Sequence, residues 1–336
     1  MTTSDPIRLG TRGSQLALYQ AHAVARLLAE AGGPQCEIAI IKTSGDRLQE
    51  APLSEAGGKR LFVKEIEDAL LNREVDLAVH SSKDMPAVLP EGLAIAGVLP
   101  REDPHDAVVL GQGFAISDHG TRPGDQGLLG TPRSVQNLEE LREILGPTPS
   151  IGTSSVRRIA QLKRLFPAGR FSPIRGNLDT RLRKLDAGGN AALVLAAAGL
   201  RRLGFESRIS LRLPSTICVP APGQGIIAIE IRDGDDAVRN AVSAITDRAA
   251  WAALNAERAV VEALGGGCQI PIGALASPDG HALDLIATVI SLDGDRAVFA
   301  SARGSWNEAA ELGKHVAGQL LNDGAGKILD EVRRQM

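Results

Sequence analysis

An apolar run from Val75 to His80 leads without a break into the polar Ser81, Ser82, Lys83 and Asp84. A strand that empties into a polar loop places that loop at its carboxyl end, where open α/β sheets put their ligands. A carboxylate at that mouth, Asp84, can take up a proton and stabilise positive charge developing on a reacting ring, both of which electrophilic substitution requires. The plainer reading is a loop aspartate capping the following Met85-Pro86 or pairing with Lys83, and composition alone favours it.

Arginines recur where helices open or loops turn: Arg8 and Arg12, Arg157 and Arg158, Arg175, Arg181 and Arg183, Arg201 and Arg202. Guanidinium grips carboxylate or phosphate with paired hydrogen bonds and keeps its charge, and helix N-termini add free N–H groups. Any one such arginine is as often a solvated surface residue. The stretch Gly152 to Arg158 tilts the balance, because it brings capping hydroxyls at Thr153, Ser154 and Ser155 and two guanidiniums into one turn. The expected ligand is polyanionic, with phosphate and carboxylate both open. Cys268 follows three glycines, Gly265 to Gly267, which leave a thiol accessible and admit a bulky group close to the backbone. A lone cysteine is more often a small buried hydrophobe, and Cys36 and Cys218, in apolar strand-like contexts, fit that description better.

The elements that must hold these residues read as α/β through the first two thirds of the chain. Ile7 to Gly10 is a strand and Ser14 to Glu30 a helix with Ala17, Ala21, Val24 and Leu28 on one face, stopped at Gly32. Strands follow at 36–41, 75–80 and 93–99, with a helix over 62–72. A second series has strands at 107–110, near Phe171 and at 191–196, and helices opening at 153–155 and over 178–185. The alternation predicts layers around mainly parallel sheets. The Pro- and Gly-rich 220–225 reads as a crossing segment before a strand at 226–231. Past Asp247 come a long helix to Leu264, two strands at 283–292 and 296–303, and closing helices. Three domains result: 1–103 with 221–244, 104–220, and 245–336. The Gly111 to Pro149 stretch is long for a connection. It reads as a surface insertion followed by a helix capped by Ser134, with Val135, Leu138, Leu141 and Leu145 on its apolar face.

With 336 residues, 43% hydrophobic and 23% charged, the chain is long enough for several cores and too apolar to be disordered. A net charge of -3 and 3% aromatics speak against a nucleic-acid binder, which needs positive charge and stacking platforms. Three widely spaced cysteines support neither a disulfide framework nor a zinc site, so no metal is expected. The apolar runs fall short of the roughly 18–20 residues of a membrane span, and the first residues lack the apolar core of a signal peptide, which leads to the expectation of a cytoplasmic protein without a membrane partner.

Seven blocks, in order, resemble the signature of the porphobilinogen deaminase family: Gly10 to Leu18, Gly57 to Glu65, His80 to Pro86, Gly152 to Arg158, Arg175 to Arg181, Pro222 to Gly225 and Gly266 to Gly273. The resemblance spans nearly the whole chain. It implies two periplasmic-binding-protein-like, doubly wound α/β domains facing a cleft, with a C-terminal α+β domain carrying the cofactor cysteine. It implies a transferase that joins four porphobilinogen molecules head to tail with loss of four ammonia, then releases hydroxymethylbilane by hydrolysis. The implied cofactor is a dipyrromethane, assembled from porphobilinogen and held by a thioether to Cys268. Asp84 would be catalytic. Ser81, Lys83, Asp84, Thr153, Ser154, Ser155, Arg157, Arg158, Arg175, Gly176 and Lys59 would hold the cofactor. Arg8, Arg12, Ser14, Phe62, Arg175, Arg181, Arg202 and Gln224 would hold the substrate, whose acetate and propionate groups account for the arginines. A monomer is implied, with no nucleic-acid partner.

The sequence departs from the family pattern in two places: Arg60 stands where a glycine is expected, and the 111–149 stretch is longer than usual. The other readings are a non-enzymatic anion-binding protein of the two-domain type and a phosphosugar or nucleic-acid binder.

Overall fold

A computed structural model describes residues 6–47, 63–111, 134–266 and 270–335. The expectations attached to Lys59, Arg60, Phe62 and Cys268, and to the surface insertion before Ser134, lie outside the described residues.

Numbered along the chain, the first sheet combines β1 (Ile7–Thr11), β2 (Cys36–Ile40), β3 (Leu77–Ser81), β4 (Leu93–Val98) and the late strand β10 (Ile227–Arg232), in the order β2-β1-β3-β10-β4. Helix α1 (Gln15–Glu30) follows β1, the short α2 (Ser44–Arg47) follows β2, and α8 (Asp236–Ser243) follows β10. Ser14 caps α1 by accepting from the N–H of Ala17, and Gln20, Ala21, Val24 and Leu28 are its buried stripe. Val24 and Leu28 meet Leu9, Leu77 and Ile229 in a shared core, each fully buried aliphatic contributing roughly 1.5–3 kcal/mol. The opposite face of the sheet is covered by α3 (Lys64–Leu71) through Ile66 and Leu70, and by the long α9 (Arg248–Ala263) through Ala250 and Leu254.

The second sheet repeats the plan with β5 (Asp106–Leu110), β6 (Ser150–Gly152), β7 (Arg170–Ser172), β8 (Ala192–Ala196) and β9 (Leu211–Arg212), ordered β7-β6-β8-β5-β9. Helices α4 (Leu138–Leu145) and α5 (Val156–Leu165) lie on one face and α6 (Leu178–Asp186) and α7 (Ala197–Arg202) on the other. Neither sheet is wholly parallel. In each, the strand in fourth position is reversed: β10 runs antiparallel to β3 and β4, and β5 antiparallel to β8 and β9. Those strands stand next to the two places where the chain passes between sheets, at 99–105 and 213–226, and a chain arriving from the other sheet enters in the opposite sense. Helix α4 begins later than the sequence suggested. Asn137, not Ser134, accepts from the N–H of Glu140, because Val135 is drawn into the core as extended chain bonded to Ser210.

The third sheet is an antiparallel meander of β11 (Ile272–Asp279), β12 (Ala282–Ile290) and β13 (Ala297–Ser305), one strand more than the periodicity indicated. Helices α9, α10 (Ala309–Asn322) and α11 (Ala325–Gln335) enclose its core around Leu283, Leu285, Val316 and Leu320. Helix α9 therefore packs on the first sheet with one side and on the third with the other.

The two crossing segments lie against each other. Glu102 donates its N–H to the carbonyl of Gly225, and a β-carbon on Gly225 (φ +87°) would stand 2.2 Å from the Glu102 oxygen. Only glycine allows that approach.

Candidate active site

Strand β3 delivers Ser81 at its carboxyl end, and a short 3-10 turn over Ser82–Asp84 carries Lys83 and Asp84 beyond it. The turn closes by Met85 N–H donating to the Ser82 carbonyl, so Asp84 does not cap it. Among the described residues the half-buried Asp84 carboxylate makes no hydrogen bond or ion pair. Its charge is felt by Lys83 and by Arg181, which places one cation from each lobe beside it. Burial lowers the Lys83 ammonium to about 8, with Asp84 opposing the shift and Arg158 and Arg157 adding to it. Ser81 is held by Gln20, whose Nε2 donates to Oγ at 2.8 Å.

From the second lobe, β6 ends at Gly152 and the chain turns into α5. Thr153 is buried and its Oγ1 accepts from Ser155 N–H at 3.3 Å, while Ser155 caps α5. Ser154 ties this turn to the next loop: its Oγ donates to the Ile174 carbonyl at 2.8 Å and accepts from Ile174 N–H at 3.1 Å. That contact sets the loop of Arg175 and Gly176. Gly176, at φ +105°, directs its carbonyl to Arg181 Nε at 2.8 Å, and a β-carbon there would strike Thr180. Arg175 and Arg181 form no ion pair among the described residues. Burial lowers Arg181 to about 10, reinforced by Arg158, Arg12 and Arg175 and opposed by Asp84. Four guanidiniums and one carboxylate thus lie close enough to feel one another's charge.

Arg157 and Arg158 open α5, and both are buried. Between them sits Asp106, the first residue of β5, fully buried, with Arg157 Nη1 at 2.7 Å and Arg158 Nε at 2.8 Å. Burial raises the Asp106 pKa, but the two guanidiniums more than reverse this and hold it far below the usual carboxylate range. Arg157 Nε is buried with no partner among the described residues. Sequence reasoning passed over Asp106, since one acid at the head of an apolar strand looks like a cap. The signal was present only as two adjacent arginines on one helix that needed a counter-charge.

Other expected contacts fall elsewhere. Arg8 lies at the amino end of β1, where Asp76 takes its Nε at 3.0 Å and its Nη2 at 2.8 Å. It is three residues, about 10 Å of strand, from the carboxyl end of β1 at Thr11, so the structure does not bring it to the others. Ser14 is engaged as the cap of α1. Arg12 does join the cleft, paired with Asp46 at 2.5 Å and near enough to Arg181 to perturb it. Arg202 donates to the Gly225 carbonyl at 2.6 Å, and Gln224 is fully buried, donating to the Pro104 carbonyl at 2.7 Å and to Asp106 at 3.0 Å. Gln224 belongs to the second crossing segment, and Arg202, at the end of α7, is bound to that segment rather than left on an open surface.

The donor set suits a molecule bearing several carboxylates. Guanidiniums at 12, 157, 158, 175 and 181, an ammonium at 83, the amino terminus of α5 and one unpartnered buried Nε face a single carboxylate left free for chemistry. A linear pair of pyrroles with acetate and propionate arms fits these groups by charge and by hydrogen-bonding type.

Two family descriptions match the chain: porphobilinogen deaminase, dipyromethane cofactor binding domain, over residues 7–240, and porphobilinogen deaminase, C-terminal domain, over 251–322. The chain is 42% identical over 333 residues to the porphobilinogen deaminase of Syntrophobacter fumaroxidans, covering 99% of each. It is 42% identical to that of Moorella thermoacetica over 98% of this chain and 97% of the relative. It is 43% identical to that of Bordetella parapertussis over 99% and 98%.

Proposed function

The chain belongs to the porphobilinogen deaminase family, and from that premise we propose how its residues carry out hydroxymethylbilane synthesis in tetrapyrrole biosynthesis. The reaction is that of a transferase: four porphobilinogen molecules are joined head to tail with loss of four ammonia, and hydrolysis releases the product. The dipyrromethane cofactor, when bound, supplies the primer to which pyrrole units are added, and Cys268 is its proposed point of attachment.

Arg157, Arg158, Arg175, Lys83, Ser81 and the Thr153–Ser155 turn hold its carboxylates, with Gly176 shaping the loop and Lys59 as a further contact. Arg12, Arg175 and Arg181 hold the incoming porphobilinogen, with Phe62 beside them. Ser14 orients α1, and Arg202 and Gln224 support the hinge. Asp84 stabilises positive charge on the reacting ring and moves the proton at its carboxylate oxygen. The single observation that carries this reading is that the Asp84 carboxylate makes no hydrogen bond or ion pair among the described residues while its charge is felt by both Lys83 and Arg181. A carboxylate so placed stabilises a developing cation without competing donors.

We take 1–103 with 221–244, 104–220 and 245–336 as the three domains, with closure of the first two about the crossing segments, and the protein as a cytoplasmic monomer. Incubation of the purified protein with porphobilinogen tests the activity: hydroxymethylbilane formation with ammonia release is expected. Binding of porphobilinogen with no product would favour the non-enzymatic anion-binding reading.

A further inference from the structure

The Asp106 carboxylate receives donors from two separate elements, α5 and the second crossing segment. Arg157 and Arg158 come from α5, Gln224 Nε2 from the second crossing segment at 3.0 Å, and the Cys218 thiol stands at 3.2 Å. Gln224 in turn accepts from Arg158 Nη2 at 3.4 Å and donates to Pro104 in the first crossing segment. Arg157 Nη1 also donates to the Val219 carbonyl at 2.6 Å, and Arg158 Nη1 to Val194 at 3.0 Å. Arg157 is thus fixed at Nη1, and Arg158 at all three of its nitrogens, by protein acceptors.

We infer that Asp106 is a positioning residue of the anion site: it orients Arg157 and Arg158 for carboxylate binding and, through Gln224, ties that orientation to the crossing segments. The inference rests on the reading above, in which these two arginines hold pyrrole carboxylates. Two adjacent guanidiniums in a desolvated site repel each other, and a carboxylate between them lets both stay charged and near each other. Arginine side chains also lose rotamer entropy when they are ordered, and fixing them by protein acceptors removes much of that cost before the ligand arrives. The local charge becomes +1 rather than +2 (two guanidiniums less one carboxylate), enough to attract an anion. The unpartnered Arg157 Nε fits this role, since an ion pair built only for stability leaves no buried donor unused.

A double-mutant cycle of Asp106→Asn and Arg158→Gln in the full-length protein separates positioning from plain stabilisation. Three quantities are read: the rate at which cofactor-free protein gains the dipyrromethane mass on incubation with porphobilinogen, KM and kcat of the loaded enzyme, and the thermal midpoint. Asp106→Asn is expected to slow cofactor uptake and raise KM by about tenfold each. Asp106→Asn should have a smaller effect in the Arg158→Gln background than in the parent, because part of the aspartate's action runs through that arginine and the rest through Arg157. Multiplying effects in the cycle, or a lowered thermal midpoint with uptake and KM unchanged, would overturn the inference. If Asp106→Asn does not fold, Gln224→Met takes its place. It removes the hydrogen bonds to Asp106 and Arg158 at similar volume, and the same two patterns decide. A wild-type protein that gains no mass and forms no product would refute the functional reading itself, a result distinct from either pattern.

Discussion

Arg101 in the first crossing segment reaches into the fully buried carboxylate of Glu257 on α9, Nη1 to Oε1 at 2.5 Å. Glu257 also accepts from the N–H groups of Gly223 at 2.6 Å and Ala276 at 2.8 Å. Arg101 Nε donates to the Gln224 carbonyl at 2.9 Å. One carboxylate therefore ties together both crossing segments, the third sheet and the helix that leads to the cysteine loop. That arrangement fixes α9 and β11, which flank residues 267–269 in the chain, to the crossing segments.

Glu257→Gln leaves the Arg101 charge buried without its counter-ion, and removing one partner of a buried pair costs about 3–5 kcal/mol. Denaturant unfolding of the variant should show a loss of that order. A stability within about 0.5 kcal/mol of the parent would mean that the pair contributes nothing net.

Asp84→Asn keeps the shape of the turn and removes the charge. Turnover is expected to fall by at least about 100-fold with the circular dichroism spectrum and the cofactor mass retained. Rates near those of the parent would take Asp84 out of the chemistry.

Much of the scaffold was legible because it rests on local periodicity. The stripe of α1, the strand ending at Ser81 and the cap at Ser155 follow from neighbouring residues. What escaped depends on partners distant in the chain. Asp106 finds Arg157 and Gln224 more than fifty residues away, and Glu257 finds Arg101 across 156. The reversed sense of β5 and β10 comes from the chain crossing between lobes, which a period-2 pattern does not encode. Strand β11 was hidden because Pro271, Gly273 and Pro278 resemble loop residues, although the strand pairs with β12 from Ile272 to Asp279. Arg8 was read as a ligand from the resemblance of its block; the structure pairs it with Asp76 across the parallel strands, a partner 68 residues away that the block does not reveal.

Arg8→Ala should therefore leave KM and kcat for porphobilinogen within about twofold of the parent, whereas Arg181→Ala should raise KM about tenfold or more, the loss expected for one charge-assisted contact. Steady-state assays on both variants check this. Equal effects would place Arg8 back among the substrate contacts.

The Lys83 pKa, brought down to about 8 by burial, has two consequences of fixed sign. The folded pKa lies below the unfolded value, so the destabilisation from burying the ammonium is complete below pH 8 and is relieved as pH rises from there toward 10.5. Over the same interval the site loses a positive charge, and KM should climb roughly five- to tenfold between pH 7.5 and 9. In Lys83→Arg, which keeps its charge, that limb should flatten. A limb of the same size in both proteins would assign the titration to another group.

The most direct test of the account is the intact mass of the purified protein, followed by peptide mapping across Cys268. An added mass equal to two deaminated porphobilinogen units, localised to Cys268 and absent from Cys268→Ser, is the predicted result. An unmodified Cys268 that stays unmodified after incubation with porphobilinogen would contradict the account, since the anion site around Asp84, Arg157 and Arg158 would then have no primer to hold.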